Sequence, residues 1–243
     1  MKNRKLLSEE QLTVQMMSRS RKTRRMPVIK GVIFDLDGTL IDSMTIWSRI
    51  DREFLRENGI ADPPADISDR MRKMTVDESS QYFIDEFGLS CTKEYVIKRI
   101  EELVRREYMD RIQLKPHVCE VLDWLDVKDI PYGVATATYK VLAEAVLRRC
   151  GILDRFRFLL TDMEYPKGKT FPDIFYGGAE RLGCLPAETL VIEDSLHCIE
   201  TAAAAGFVTV GVYDEVSAPE MDEIKKAADH YIMSLGEVYD IIS

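Results

Sequence analysis

The chain has 243 residues, of which 46% are hydrophobic and 31% charged, with a formal net charge of −9. That length allows one large domain, or one domain carrying an insertion, in an ordinary globular composition. The acidic balance excludes the basic footprint that nucleic-acid binders need, and no apolar run approaches the roughly 18–20 residues of a membrane span.

The charge is unevenly spread. Residues 1–25 hold eight Lys or Arg against two Glu, about +6, which leaves about −15 on the rest. This basic N-terminal extension differs in texture from the remainder of the chain, and Met26 opens a run that would serve as a natural start. A solvated tail or misassigned start, a docking helix and a targeting peptide are all compatible with it. Glu9 and Glu10 weigh against the last, and no signal-peptide core precedes a cleavage site. The five cysteines are scattered, odd in number and never in a C-x-x-C pair. That pattern argues against a disulfide framework or a zinc site and is expected of a cytoplasmic protein with small buried thiols.

In chain order, residues 32–35 read as a buried parallel strand ending in acid. Residues 45–58 switch to helical spacing, and three more helices are expected at 68–74, 76–87 and 93–108. No strand signal appears between about 43 and 112. The texture then becomes βα alternation. Strands are expected at 132–137, 158–161, 190–193, 208–212 and 231–233. Helices are expected at 118–125, 140–150, 173–182, 198–205 and 220–228, with a last helix closing the chain. Such alternation implies an α/β fold, a Rossmann-like doubly wound parallel sheet with right-handed crossovers. The first strand is cut off from the others by an all-helical block. The expected organisation is therefore an α/β core of residues 26–43 and 113–243, with an inserted all-helical cap domain at 44–112.

Ligands of open α/β sheets bind beyond the carboxyl ends of the strands. There the sequence places Asp35-Leu36-Asp37-Gly38-Thr39, then Thr136-Ala137-Thr138, then Lys169, then Glu193-Asp194-Ser195. Acids crowded at one mouth repel one another unless a cation neutralises them, and carboxylate oxygens without His or Cys favour magnesium. An Asp at a strand end is a competent nucleophile toward phosphorus, and a Lys with a hydroxyl can hold phosphoryl oxygens.

These segments resemble, in order and spacing over roughly residues 27–235, the four motifs of the haloacid dehalogenase (HAD) superfamily. The first is Phe34-Asp35-Leu36-Asp37-Gly38-Thr39-Leu40, the second Val134-Ala135-Thr136. The third runs from Gly168-Lys169-Thr170 to Phe175, and the fourth is Val191-Ile192-Glu193-Asp194-Ser195. The resemblance implies Asp35 as nucleophile and metal ligand. It implies Asp37 as acid/base, its backbone carbonyl also on the metal. Thr136 and Lys169 would hold the phosphoryl group, and Glu193 and Asp194 would complete a Mg2+ site. Gly38, Thr39 and Ala137 are expected in the phosphate-binding turns. Ser195 is expected to orient the acids, and Thr138 reads more as a turn residue than as a ligand. Thr170, Cys198 and His117 depart from the family pattern at loop positions.

Dehalogenase members lack the acid/base that Asp37 supplies, so the resemblance favours a Mg-dependent phosphatase of small phosphomonoesters acting through an aspartyl-phosphate. The β-phosphoglucomutase subgroup carries a cap His and Arg where Trp47 and Val76 stand here, which disfavours the phosphosugar mutase alternative. A non-enzymatic regulatory protein on the same fold would be expected to carry a damaged motif, and none is damaged. Arg70, Arg72 and Lys73 near the first cap loop could meet an anionic substrate or form a solvated helix face. Trp47 could stack on a sugar or base or pack the hinge. Ser195 and His197, two apart, would not face each other on one helix. The expected partner is a small phosphorylated metabolite, with no nucleic acid and no membrane, for a monomer or weak dimer.

Overall fold

The computed structural model describes residues 28–242 apart from 72, 73, 75, 162, 163 and 166. The basic extension and the candidates Arg72 and Lys73 therefore lie outside the described residues. Six strands form one sheet: β1 (Gly31–Phe34), β2 (Tyr132–Thr136), β3 (Leu159–Thr161), β4 (Thr189–Glu193), β5 (Val208–Val212) and β6 (His230–Ile232). The order is β3-β2-β1-β4-β5-β6, and every neighbouring pair is parallel. The strand order reverses beside β1, where a doubly wound sheet opens its ligand crevice.

The first strand is central because it can be covered on both faces. Val32 and Phe34 belong to one apolar cluster and Ile33 to the other, as the two-residue period of a strand requires. All three are fully buried. At about 1.5–3 kcal/mol per large apolar side chain, this burial fixes the register, since a slip of one residue would exchange the two faces. Gly133 of β2 lets Phe158 pack against the strand, because a Cβ there would lie 2.3 Å from the ring.

Between β1 and β2 come α1 (Ile46–Glu57), α2 (Ile67–Met71), α3 (Val76–Phe87) and α4 (Lys93–Arg106). Helix α1 buries Ile46, Ile50, Phe54 and Leu55, the face expected from the spacing. Phe54 meets Phe83 of α3 at 5.0 Å between ring centroids. Helix α4 starts where the Thr92 side chain accepts the Tyr95 N–H. The expected single helix over 93–108 is corrected here: the α-helix stops at Arg106 and a π-helical turn, Glu107–Arg111, comes next. The buried Glu107 holds that turn, paired with Arg49 of α1 and, at 2.9 Å, with Arg111.

The chain leaves and re-enters the core along two adjacent segments. Ile41 bridges Leu114 in antiparallel fashion, Asp42 N–H donates to Gln113 O, and Lys115 N–H donates to Leu40 O. Helix α5 (Val118–Val127) then leads into β2. The later helices are α6 (Lys140–Arg149), α7 (Asp173–Leu182), α8 (Leu196–Ala204), α9 (Met221–Ala227) and α10 (Tyr239–Ile242). The closing helix is split between a 3-10 turn, Leu235–Val238, and the equally short α10. Among the described residues no helix is long and apolar enough to cross a membrane. All five cysteines are free, but only Cys198 is buried and Cys119 is exposed, which corrects the expectation of uniformly buried thiols.

Candidate active site

The carboxyl ends of β1, β2 and β4 converge with the 3-10 turn Gly168–Thr170, as the motif order predicts. Asp35 follows β1, and its N–H donates to Ile192 O of β4. Glu193 closes β4 and Asp194 follows it. Asp35, Glu193 and Asp194 are all buried, and one ligand atom from each lies within 4.8 Å of the others. Lys169, also buried, contacts Asp35 and reaches Glu193 Oε1 at 2.5 Å.

Three carboxylates against one ammonium leave this centre with excess negative charge. Burial, then Glu193, push the Asp35 carboxyl well above the usual carboxylate range, against the pull of Lys169. Asp194 is pushed up to about 7, chiefly by burial and then by Glu193. Burial opposes the charge on Lys169, but Asp35 and Glu193 outweigh it and hold the ammonium protonated well above its ordinary range. Buried carboxylate oxygens in surplus, with no nitrogen or sulfur ligand in the group, match a hard divalent cation. The Asp37 carboxylate stands outside this group.

Asp37 faces a different set of atoms. Its Oδ1 accepts from Ser43 Oγ at 2.6 Å and from the Tyr108 hydroxyl, and its Oδ2 accepts from Thr138 Oγ1 at 2.6 Å. Thr138 is thus a partner of the expected acid/base and not merely a turn residue. Thr136 is fully buried at the end of β2, where its Oγ1 accepts the Thr138 N–H at 3.0 Å, while Ala137 is exposed at the mouth.

Gly38 adopts φ +77, and a Cβ there would lie 2.7 Å from Asp194 Oδ2 and 3.2 Å from Met44. Only glycine lets the turn after Asp35 approach the acidic pair so closely. The Thr39 hydroxyl is buried without a hydrogen-bond partner among the described residues. Lys115 fixes the turn from the hinge, donating to Gly38 O at 2.7 Å, to Tyr213 O at 3.0 Å and to Asp214 Oδ2 at 2.9 Å. Beyond Asp214, Ser217 Oγ donates to Asp194 Oδ2 at 2.8 Å.

Ser43, Tyr108, Lys115, Asp214 and Ser217 were invisible as site residues in the sequence. Their one signal is position, since each lies beside a hinge or just past a strand end. Ser195 needs a correction. Helix α8 begins at Leu196, so Ser195 is an extended cap residue and its Oγ lies 3.1 Å from His197 Nδ1. Its N–H donates to Glu193 Oε2 at 3.1 Å, which does orient an acid of the centre. Arg70 pairs at 3.0 Å with Asp66, just before its own helix, and at 3.7 Å with Glu86 of α3, both exposed pairs in keeping with the solvated-face reading.

Next to the centre, between the helical insertion and the loop after β5, lies a cavity of about 870 Å³. Met44, Trp47 and Phe83 supply apolar walls, with Asp51, Glu215 and Val216 beside them. Met44 also abuts Gly38, so the cavity and the acidic centre share a wall.

A family model described as Haloacid dehalogenase-like hydrolase matches residues 32–212, well over half of the chain. N-acetylmuramic acid 6-phosphate phosphatase of Pseudomonas aeruginosa is 28% identical over 222 residues, which is 88% of this chain and 95% of that protein. β-Phosphoglucomutase of Bacillus subtilis is 30% identical over 199 residues, 76% of this chain and 83% of that one. A solved HAD family hydrolase from Deinococcus radiodurans R1, with bound phosphate and sodium, superposes with a TM-score of 0.73 at 19% identity. The match covers 88% of this chain and 95% of that structure.

Proposed function

The chain belongs to the haloacid dehalogenase-like hydrolases, and from that premise we propose that it is a Mg2+-dependent phosphatase of small phosphomonoesters, working through an aspartyl-phosphate on Asp35. The observation that carries this reading is the buried trio Asp35, Glu193 and Asp194 with Lys169 against it. Relatives that are phosphatases by name, for N-acetylmuramic acid 6-phosphate and for hexitol phosphates, point to phosphorylated carbohydrates or metabolites of similar size.

Asp35, Glu193 and Asp194, with the Asp37 carbonyl, would hold the magnesium ion. Bound there, magnesium supplies positive charge against the phosphoryl oxygens and the crowded carboxylates. Asp35 attacks phosphorus, the bond to the leaving oxygen breaks, and its electron pair stays on that oxygen, which takes a proton from Asp37. Lys169 and the turn amides around Gly38 and Thr39 neutralise the transferring group. A water molecule then gives a proton to Asp37 and attacks phosphorus, which frees Asp35 and inorganic phosphate. The cavity walled by Met44, Trp47 and Phe83 takes the leaving group and keeps bulk water away.

The mutase reading draws on the 30% identity to the Bacillus subtilis enzyme. Against it, Trp47 and Val76 stand where that subgroup carries its cap His and Arg. The test is phosphate release over a panel of phosphomonoesters, with magnesium and with chelator, beside Asp35→Asn. Metal-dependent release that is lost in the variant, with a phosphate adduct trapped on Asp35 by acid quench, is the expected result. Interconversion of hexose phosphates without net phosphate release would establish the mutase instead.

A further inference from the structure

We propose that Tyr108 is a positioning residue for the acid/base Asp37, and that it makes Oδ2 the oxygen that carries the transferred proton. This rests on the phosphatase reading above and deepens it.

A carboxylate oxygen has two lone pairs to offer. On Asp37, Oδ1 accepts from both Tyr108 and Ser43, so both of its sites are taken, while among the described residues Oδ2 accepts from Thr138 alone. One site on Oδ2 is therefore left among these contacts. A proton there can be handed to the leaving oxygen while Thr138 keeps its bond to the remaining lone pair. The same site receives the proton of the attacking water in the second step, so the two half-reactions balance on one atom. A carboxyl free to rotate would divide its proton between two oxygens, of which one points at the hinge.

Tyr108 is suited to this task by its place and its chemistry. It is buried, at 6% exposure. Its hydroxyl donates to Asp37 Oδ1, and a phenol ordinarily ionises only near about pH 10, so around neutral pH it is a hydrogen-bond donor. It sits on the π-helical turn Glu107–Arg111, by which the chain returns from the helical insertion to the core. Single π turns inside helices often mark functional positions, because the extra residue re-aims a side chain. Here the turn is anchored to α1 through the buried Glu107 and Arg49. The placement of the insertion is thereby transmitted to the oxygen that performs acid catalysis.

The experiment compares kcat/KM of the full chain and Tyr108→Phe on two substrates, an alkyl phosphomonoester and 4-nitrophenyl phosphate. The ratio kcat/KM reports steps up to phosphoryl transfer onto Asp35. The nitrophenolate leaves without help from an acid, whereas an alkoxide needs a proton delivered as the bond breaks. We expect a loss of about 10- to 100-fold on the alkyl ester and less than about threefold on the aryl ester, since general acid catalysis supplies roughly 10²–10⁴-fold. Ser43→Ala, which removes the other Oδ1 donor, should show the same selectivity, and in an Asp37→Ala background Tyr108→Phe should have no further effect. Equal losses on both substrates at unchanged melting temperature, or no loss on the alkyl ester, would overturn the proposal. Failure of the underlying reading looks different: the parent chain would then turn over neither substrate in an Asp35-dependent way.

Discussion

Lys169 Nζ lies 2.5 Å from Glu193 Oε1 and at the same time contacts Asp35, so one buried ammonium joins the proposed nucleophile to a proposed metal ligand. Removing it leaves two buried carboxylates facing each other. Lys169→Met should cost about 3–5 kcal/mol in chemical unfolding without metal, the usual penalty for breaking a buried pair. Turnover should be lost, while saturating magnesium should restore part of the stability but not the activity. A variant as stable as the parent in chelator would show that Lys169 does not neutralise the centre.

The raised carboxyls set the pH dependence. Asp194 titrates at about 7 in the folded chain, against the ordinary carboxylate value of about 3.9 in an unfolded one. Asp35 is raised in the same direction. Folding thus binds protons at these groups. Their contribution is complete below the unfolded value and is lost as pH rises through the folded one, near neutrality for Asp194. Magnesium competes with those protons and removes the repulsion. The gain in melting temperature on adding magnesium should therefore be larger at about pH 8 than at about pH 6. A gain independent of pH, measured by differential scanning fluorimetry, would detach the metal from these carboxyls.

Gly38→Ala tests the turn behind the proposed nucleophile. The backbone sits at φ +77, and the new methyl would be 2.7 Å from Asp194 Oδ2. Left-handed backbone costs a non-glycine residue about 1–2 kcal/mol, and displacement of Asp194 adds to that. The variant should unfold earlier and lose most of its magnesium-induced stabilisation. Unchanged metal response in isothermal titration would mean that Asp194 yields at no cost.

Trp47 lines the cavity and is 46% exposed, so it can be truncated without opening the core. Trp47→Ala should raise KM about tenfold for a substrate whose leaving group fills the cavity, with kcat within about twofold. This is the pattern of lost binding equal in ground and transition states. A fall in kcat with unchanged KM would assign Trp47 to the hinge instead.

The sheet was legible in the sequence because β1, β2, β4 and β5 are short apolar runs buried along their whole length. The acids were legible too, since their carboxyl groups stand directly at strand ends. The hydroxyls around Asp37 were not. Ser43, Tyr108 and Thr138 come from three separate segments, and a Ser, Tyr or Thr in a loop carries no periodicity that says where its hydroxyl goes. Tyr108 was hidden further by its turn, because a π turn leaves the apolar spacing of 93–108 looking like continuous α-helix. Lys115 and Asp214 escaped for a similar reason: their meeting depends on how the hinge lies against the loop after β5, a tertiary fact.

Asp35 and the lysine that contacts it are separated by 134 residues of sequence, and the strand bearing Asp35 is hydrogen-bonded on both sides by strands synthesised much later. On a ribosome, β1 emerges first and then waits, apolar on both faces, while the helices between β1 and β2 form from local contacts. The reactive centre cannot exist until β4 has left the exit tunnel, because both walls of its central strand are distal in the chain. Such long-range closure makes the sheet slow to nucleate. Nascent chains halted before β4 should thus carry helical structure without the assembled carboxylate centre around Asp35, and the proposed site forms late in translation rather than by degrees.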